Sequence, residues 1–334
     1  MLAPGGGERV CVECGATCDQ ETRCSRCEMP LCCESRLHES ECRHRIHFPT
    51  HTSRHLGVAI LRLIDNLETR NTEQREEIMQ LMSHLESRRR DPDYDQMLDT
   101  VRLLTPVLGD RYTEHELLEY AGIILTNTLQ CNTVSGGVDS GIGLFPLFSL
   151  LSHSCVANTR READGGKIKL IATVNISTGD QILTSYKNPL LGSVSRRCHF
   201  PRIWYFDCEC RRCCDPTELG SHLSSLKCQE CEDGVLLPSH PDQYHTPWSC
   251  DQCQLTISSH QAITRTIVMF RALMSCPTSI ITISSLINNL QTIAHPQHYV
   301  IIQVCIKTYL SFQISLTFHL LKINIFDKYD FKTS

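Results

Sequence analysis

The spacing of apolar residues along this chain changes several times, and each change marks a segment. Residues 11–42 hold few large aliphatic side chains, so this stretch cannot build a hydrophobic core alone. From 55 to 130 the spacing is helical. Leu56, Ala59, Ile60, Leu63, Ile64 and Leu67 recur at intervals of three and four, the period that lines one face of a helix, and Ile78, Leu81, Met82 and Leu85 form a second such run. Arg88-Arg89-Arg90-Asp91-Pro92 ends that run and reads as a solvated helix terminus. Thr113 and Glu116 have capping-box spacing and open a further helix through Leu117, Leu118, Ala121 and Ile124.

Beyond Cys131 strands and turns take over. Gly136-Gly137 and Gly141-Ile142-Gly143 read as loop punctuation, and a lone G-x-G without strand–helix context is weak evidence for a phosphate site. Asp164-Gly165-Gly166 reads as a hairpin turn and Lys167 to Ile176 as a strand. Thr178-Gly179-Asp180 then turns into a strand ending at Tyr186. Residues 190–204 are helical in pattern, and so is the chain from about 258. Arg271 to Lys307 contains no charged residue between its ends, but Pro277, Pro296 and many polar residues interrupt it, which argues against a membrane span. The apolar tail stops abruptly over Ile323 to Ser334, as a truncated helical array would.

Length and composition narrow the classes. The 334 residues allow two or three domains with real cores. A net charge of -5 argues against a basic nucleic-acid-binding protein. The 21 cysteines change the picture most. Met1 to Glu8 is Gly/Pro-rich, without the basic start and apolar core of a secretory signal, so zinc explains the cysteines better than disulfides do.

The cysteines fall into sets. Cys11, Cys14, Cys24, Cys27, Cys32, Cys33, His38 and Cys42 supply eight donors, enough for two tetrahedral sites. The expected division is interleaved: Cys24, Cys27, His38 and Cys42 on one zinc, and Cys11, Cys14, Cys32 and Cys33 on the other. Cys208-x-Cys210-x-x-Cys213 offers three donors and needs a fourth, either Cys155 or Cys214. Cys228-x-x-Cys231 and Cys250-x-x-Cys253 form a complete zinc-ribbon-like set. Such a closed site is structural, because no position stays open for chemistry. Cys18, Cys131, Cys198, Cys276 and Cys305 stand alone and read as small buried apolar residues.

With these motifs in order, the chain resembles the SET- and MYND-domain (SMYD) methyltransferases, most closely their SmydA-like branch. The N-terminal cysteine array is similar to a MYND zinc finger. Ser152-His153-Ser154-Cys155-Val156-Ala157-Asn158 resembles the family's N-H-S-C-x-P-N knot, with Ser152 and Ala157 departing from it. Gly179-Asp180-Gln181-Ile182 to Tyr186 resembles its G-E-x-I-x-x-S-Y strand, and Phe206 to Cys213 resembles its post-SET cysteine loop.

The resemblance implies an α+β protein with a SET-type knotted β fold. Its expected parts are a MYND-type zinc finger at 11–42, a helical insert at 55–130, the SET core at 131–190 and a post-SET zinc loop at 191–216. A zinc-ribbon-like module at 217–255 and a partial C-terminal helical domain at 256–334 complete it. The family's N-terminal SET strands, which carry a G-x-G cofactor contact, would precede Cys11, so the chain is expected to lack them.

By resemblance, S-adenosyl-L-methionine would be held by Asn127, Ser149, Ser152, His153 and Phe206, with Tyr186 at the lysine channel. Cys155 would join Cys208, Cys210 and Cys213 on zinc, within a total of up to four zinc sites. The implied activity is protein-lysine methylation, of histones or other proteins, by a monomer of the nucleus or cytoplasm. A peptide partner on the MYND finger, no direct nucleic acid and no membrane complete the expectation. The alternative is a catalytically inactive zinc scaffold that recruits partners through the finger.

Overall fold

The structure is a computed structural model that describes residues 2–3, 11–13, 18, 22–32, 37–132, 140–164, 167–276 and 280–312. Two units emerge from it. One comprises Met1–His153, Ala157–Thr184 and Arg202–Tyr205; the other comprises Ser154–Val156, Ser185–Pro201 and Phe206–Ser334.

In the first unit, strand β1 (Leu2–Ala3) precedes the cysteine-rich segment, which ends in α1 (Leu37–Cys42). The long helix α2 (His51–Glu68) begins at a capping box in which Thr50 and Ser53 satisfy each other's backbone N–H. Its inward face carries the predicted Leu56, Ala59, Ile60, Leu63, Ile64 and Leu67, all buried. Gly57 in the middle of α2 has a packing reason. A Cβ there would meet the Phe48 ring at 2.2 Å, so the helix accepts a poor helix former in order to seat that ring. Phe48 packs in turn beside Val12, Met29 and Val58, which joins the cysteine-rich segment to α2.

The second apolar run does not form one helix. Thr72–Met79 is α3, Leu85–Arg88 is the single turn α4, and an irregular segment separates them. Ile78, Leu81 and Leu85 are buried, whereas Met82 is 60% exposed. The cause lies in α6 (Glu114–Asn127), whose Gly122 admits Ser83 so closely that a Cβ would sit 2.6 Å from the Ser83 carbonyl oxygen. Arg88 also departs from a solvated terminus. It is buried and donates to the Ser83 carbonyl at 2.9 Å and the Thr126 hydroxyl at 2.8 Å. The helix α5 (Tyr94–Leu108) and α6, which has the Thr113–Glu116 capping box, pack with α2 around the core of this unit.

Strands β2 (Thr128–Asn132) and β3 (Ser140–Leu144) pair antiparallel, with β1 on the other edge of β3, in the order β1-β3-β2. Gly141-Ile142-Gly143 is therefore part of a strand, not loop punctuation: Gly143 pairs with both Leu2 and Leu129. Gly136-Gly137 lies outside the described residues. After α7 (Pro146–Ser149), β4 (Ser152–His153) pairs parallel with β7 (Leu183–Thr184). β5 (Thr159–Asp164) and β6 (Lys167–Ala172) form an antiparallel hairpin in register from Thr159↔Ala172 to Asp164↔Lys167, with Gly165-Gly166 outside the described residues.

The second unit contains α8 (Ser193–Arg197) and the start of α9 (Phe200–Ile203), where one continuous helix was expected. β8 (Leu226–Lys227), β9 (Val235–Pro238), β10 (Trp248–Cys250) and β11 (Thr256–Ile257) make an antiparallel sheet ordered β11-β10-β9-β8. The helices α10 (Ser259–Ser275), α11 (Ile280–Gln291) and α12 (Tyr299–Phe312) follow. Leu226, Leu236, Trp248, Met269, Ile287 and Ile301 belong to one core that joins sheet and helices. Backbone bonds reinforce it: Lys227 N–H donates to Ile293 at 2.9 Å and His295 N–H to Ser225 at 3.0 Å. Among the described residues, no helix is long and apolar enough to cross a membrane.

Candidate metal centres and active site

The donor atoms of Cys24, Cys27, His38 and Cys42 lie within 4.8 Å of one another. A tight turn aims the first pair, with Glu28 N–H bonded to the Cys24 carbonyl at 2.9 Å. The second pair stands four apart on α1, one above the other on a helix face. Cys24 and Cys42 sulfurs are 3.5 Å apart, and Cys27 sulfur is 3.3 Å from His38 Nε2. A tetrahedral zinc with bonds of about 2.3 Å to sulfur needs donors slightly under 4 Å apart, so this set fits zinc.

The surroundings orient the imidazole. His38 Nδ1 bonds Glu41 at 2.9 Å, leaving Nε2 for the metal, and Arg62 of α2 grips the same carboxylate with two hydrogen bonds of 2.8 Å. Hydrogen bonding favours the charged forms of His38 and Cys24. Burial opposes it, yet hydrogen bonds to Cys27 and Glu41 raise His38 to about 10. Against the same opposition from burial, N–H donors from Arg26 and His38 bring Cys24 down to about 6. Metal entry would release the imidazole proton, which couples affinity to pH.

The other half of the finger differs from expectation. Cys11, Cys18 and Cys32 sulfurs come within 4.8 Å of one another, and Cys32 N–H donates to Cys11 sulfur at 3.4 Å. Cys18 is thus a member of a donor cluster and not an isolated apolar residue. Pair spacing passed over it, because it belongs to no C-x-x-C. Cys14 and Cys33 lie outside the described residues.

In the second unit, Cys155, Cys208, Cys210 and Cys213 form a quartet in which only Cys210 is partly exposed. Cys155 sulfur stands 3.9 Å from Cys208 and 3.5 Å from Cys213. Cys214, the competing donor, is exposed and donates to the Glu209 carbonyl instead. Hydrogen bonds from Cys155, Cys208 and Cys213 hold Cys210 far below its ordinary range, while bonding to Cys208 pushes Cys155 up.

The ribbon set closes as its spacing predicts, with Cys228 and Cys253 sulfurs 3.6 Å apart and Cys231 and Cys250 sulfurs 3.6 Å apart. Gly234 borders it so closely that a Cβ would lie 2.4 Å from Cys250 sulfur and 2.5 Å from Cys231 sulfur. Of the isolated cysteines, Cys305 is buried as expected, Cys276 is partly buried, and Cys198 is exposed. The Cys131 side chain is outside the described set.

The remaining predicted residues divide between the units. In the first, Asn127 Nδ2 donates to the Met82 and Ile123 carbonyls at 2.9 Å each, and Ser149 hydroxyl donates to Phe145 at 3.1 Å and to Asn127 at 3.4 Å. Ser152 and His153 pair with Leu183 and Thr184. Asn158 then locks that pairing: its Nδ2 donates to Gln181 at 2.9 Å and its Oδ1 accepts from Leu183 N–H at 2.8 Å.

In the second unit, Tyr186 and Phe206 meet edge to face, with centroids 6.3 Å apart and planes at 83°. Phe206 also stacks on Phe200 at 5.2 Å. Burial raises the Tyr186 phenol above its ordinary value, so at neutral pH it keeps its proton. Glu41 and Arg62 beside the finger donors, and Arg196 and Glu218 beside the quartet, are buried charged groups that motif reading missed. Only Glu41 carried a signal, as a carboxylate three residues beyond a predicted histidine ligand on a helix.

No family model matches the chain. It is 32% identical over 149 residues to SET domain-containing protein SmydA-8, isoform A, of Drosophila melanogaster, covering 43% of this chain and 32% of the relative. It is 26% identical over 231 residues to N-lysine methyltransferase SMYD2-B of Danio rerio, covering 64% of this chain and 52% of the relative. With Histone-lysine N-methyltransferase SMYD3 of Homo sapiens it shares 25% over 232 residues, covering 61% and 51%. The chain thus spans between about a third and a half of the length of these curated relatives. Over part of its length the chain is similar to SMYD lysine methyltransferases and to a SmydA protein.

Proposed function

We propose that this protein is a protein-lysine N-methyltransferase of SET/MYND type that uses S-adenosyl-L-methionine. The observation that carries this reading is the convergence of Cys155, from the Ser152–Asn158 motif, with Cys208, Cys210 and Cys213. Motif and cysteine loop share one metal in such a SET-type knotted fold, and the same loop presents Phe206.

Bound S-adenosyl-L-methionine would supply the activated methyl group; the protein's own residues supply position and environment. Tyr186 keeps a neutral hydroxyl that can orient a lysine amine without acting as a strong base. The aromatic surfaces of Tyr186 and Phe206 favour a neighbouring cation through their quadrupoles, which suits a sulfonium. Asn127 offers its amide carbonyl, since its NH2 already holds two backbone carbonyls. Ser149, Ser152 and His153 supply further polar contacts to the cofactor. A desolvated channel beside a cation lowers the pKa of the incoming lysine from about 10.4, and so supplies the neutral nucleophile.

The substrate is a lysine of a histone or another protein, with the finger available to a peptide partner and the nucleus or cytoplasm as the place of action. All four cysteine clusters hold zinc in a structural role. Calorimetric titration with S-adenosyl-L-methionine, followed by transfer of its labelled methyl to a histone mixture and a lysate, tests the proposal. Saturable binding is expected, and Tyr186→Phe should cut transfer by roughly 100-fold while binding persists, the scale of a lost orienting contact. Absence of cofactor binding, together with peptide capture that depends on Cys24 and Cys27, would favour the inactive scaffold.

A further inference from the structure

The Cys155 quartet buries its charge more completely than the ribbon set does, with three of its four cysteines buried against two of four. Zinc with four thiolates carries two net negative charges, and here Cys213 is 0%, Cys155 5% and Cys208 6% exposed. A buried anion of this kind needs a partner. The ribbon set keeps Cys231 and Cys253 partly exposed, and its sulfurs accept backbone N–H groups, from Glu230 to Cys228 and from Gln252 to Cys250, at 3.4 Å each.

One side chain meets the need at the quartet. Arg196, on α8, is 0% exposed. Its Nε donates to Cys155 sulfur at 3.2 Å and its Nη2 reaches Cys213 sulfur at 3.7 Å. Its Nη1 donates to Glu218 at 2.9 Å and also to the Leu191 carbonyl. All three nitrogens are engaged, on two sulfurs and two oxygens, a geometry that a guanidinium fork can meet and an ammonium cannot.

Glu218 is anchored as firmly. It accepts from Ser224 hydroxyl at 2.6 Å, Ser193 N–H at 3.0 Å and Arg212 Nη2 at 3.0 Å. Its backbone, with that of Leu219, lies in the left-handed region, at φ 55° and 60°. Two consecutive non-glycine residues rarely adopt that region, and surrounding structure must hold them in place.

We propose that Arg196, clamped by Glu218, is the positioning residue of the Cys155 zinc centre, holding Cys155 and Cys213 as metal-bound thiolates and shielding them from electrophiles. The inference rests on zinc occupying this quartet. Its test is N-ethylmaleimide alkylation of the zinc-loaded full chain, with each cysteine's rate read by peptide mass spectrometry. The exposed Cys214 serves as the free-thiol reference and the ribbon cysteines as the internal control.

In the wild type, Cys155, Cys208, Cys210 and Cys213 should react at least about tenfold more slowly than Cys214, the protection expected of metal-bound thiolates. Reaction of the quartet at the Cys214 rate would remove the zinc reading itself. Arg196→Gln should then accelerate the quartet about tenfold while the ribbon cysteines stay within twofold, and Arg196→Lys should fall between. Glu218→Gln loosens the clamp but leaves the guanidinium beside the sulfurs, so it should accelerate the quartet less than Arg196→Gln does. The proposal is overturned if Arg196→Gln moves both cysteine sets together, or if Glu218→Gln accelerates the quartet as much as Arg196→Gln does.

Discussion

Arg62 of α2 and Glu41 of α1 form a buried pair joined by two hydrogen bonds of 2.8 Å, and the same carboxylate holds Nδ1 of His38, a predicted zinc donor. Arg62 also donates to the Val12 carbonyl at 2.6 Å, next to Cys11, so one guanidinium ties both halves of the finger to the helical core. Breaking a buried pair leaves a charge without compensation and costs about 3–5 kcal/mol. Arg62→Ala is therefore expected to release zinc from the finger at lower chelator concentration than wild type, read with a chromogenic chelator. Unchanged release would show that the carboxylate orients His38 without help.

The ribbon set makes a steric prediction. Gly234→Ala would put a Cβ 2.4 Å from Cys250 sulfur, inside any tolerable contact. Native mass spectrometry should show one zinc fewer than wild type, with thermal stability reduced by at least the roughly 1–3 kcal/mol of an overpacked core. Full occupancy in Gly234→Ala would mean that the loop before β9 can move away.

His298 predicts a pH dependence. It is fully buried, its Nδ1 accepts Val300 N–H at 3.2 Å at the start of α12, and burial pulls its pKa down to about 3. The unfolded chain binds that proton near pH 6.5 and the folded chain does not until about 3. The stability contribution is thus complete above roughly pH 6.5 and is lost as pH falls below it, at up to about 1.4 kcal/mol per pH unit. Denaturant titrations at pH 7.5 and pH 5 should show this loss in the wild type. His298→Asn keeps an acceptor at the helix start without titrating in this range, and should show a smaller loss.

Asn158 predicts a local effect in the first unit. Its two backbone bonds are worth about 1 kcal/mol each, so Asn158→Ala should speed amide exchange at Leu183, whose N–H it accepts at 2.8 Å. Exchange at Ile168 and Leu170, in the β5–β6 hairpin, serves as the control and should not change.

Local rules reached some of this directly. The Thr113–Glu116 cap and the inward face of α2 follow from spacing, because helix periodicity and capping involve residues three and four apart. The ribbon quartet followed from two complete C-x-x-C pairs. The same rules failed where a distant element decides. Gly122 draws Ser83 in and breaks the Ile78–Leu85 run, and β2 recruits Gly141-Ile142-Gly143 into a strand by hydrogen bonding that glycine spacing does not encode.

The division between chain and fold is clearest at the cysteines. Their identity and pair spacing already determined that the protein would hold several clusters of metal donors, because a thiolate pair two residues apart can reach one zinc through a single turn. Tertiary structure alone decided the rest. It chose Cys155 over Cys214 for the quartet, drew Cys18 in with Cys11 and Cys32, and buried Arg196 against two of the sulfurs. Those choices depend on where residues 41 and 53 positions apart come to lie and on how a buried charge finds its partner. Neither is a property of local spacing.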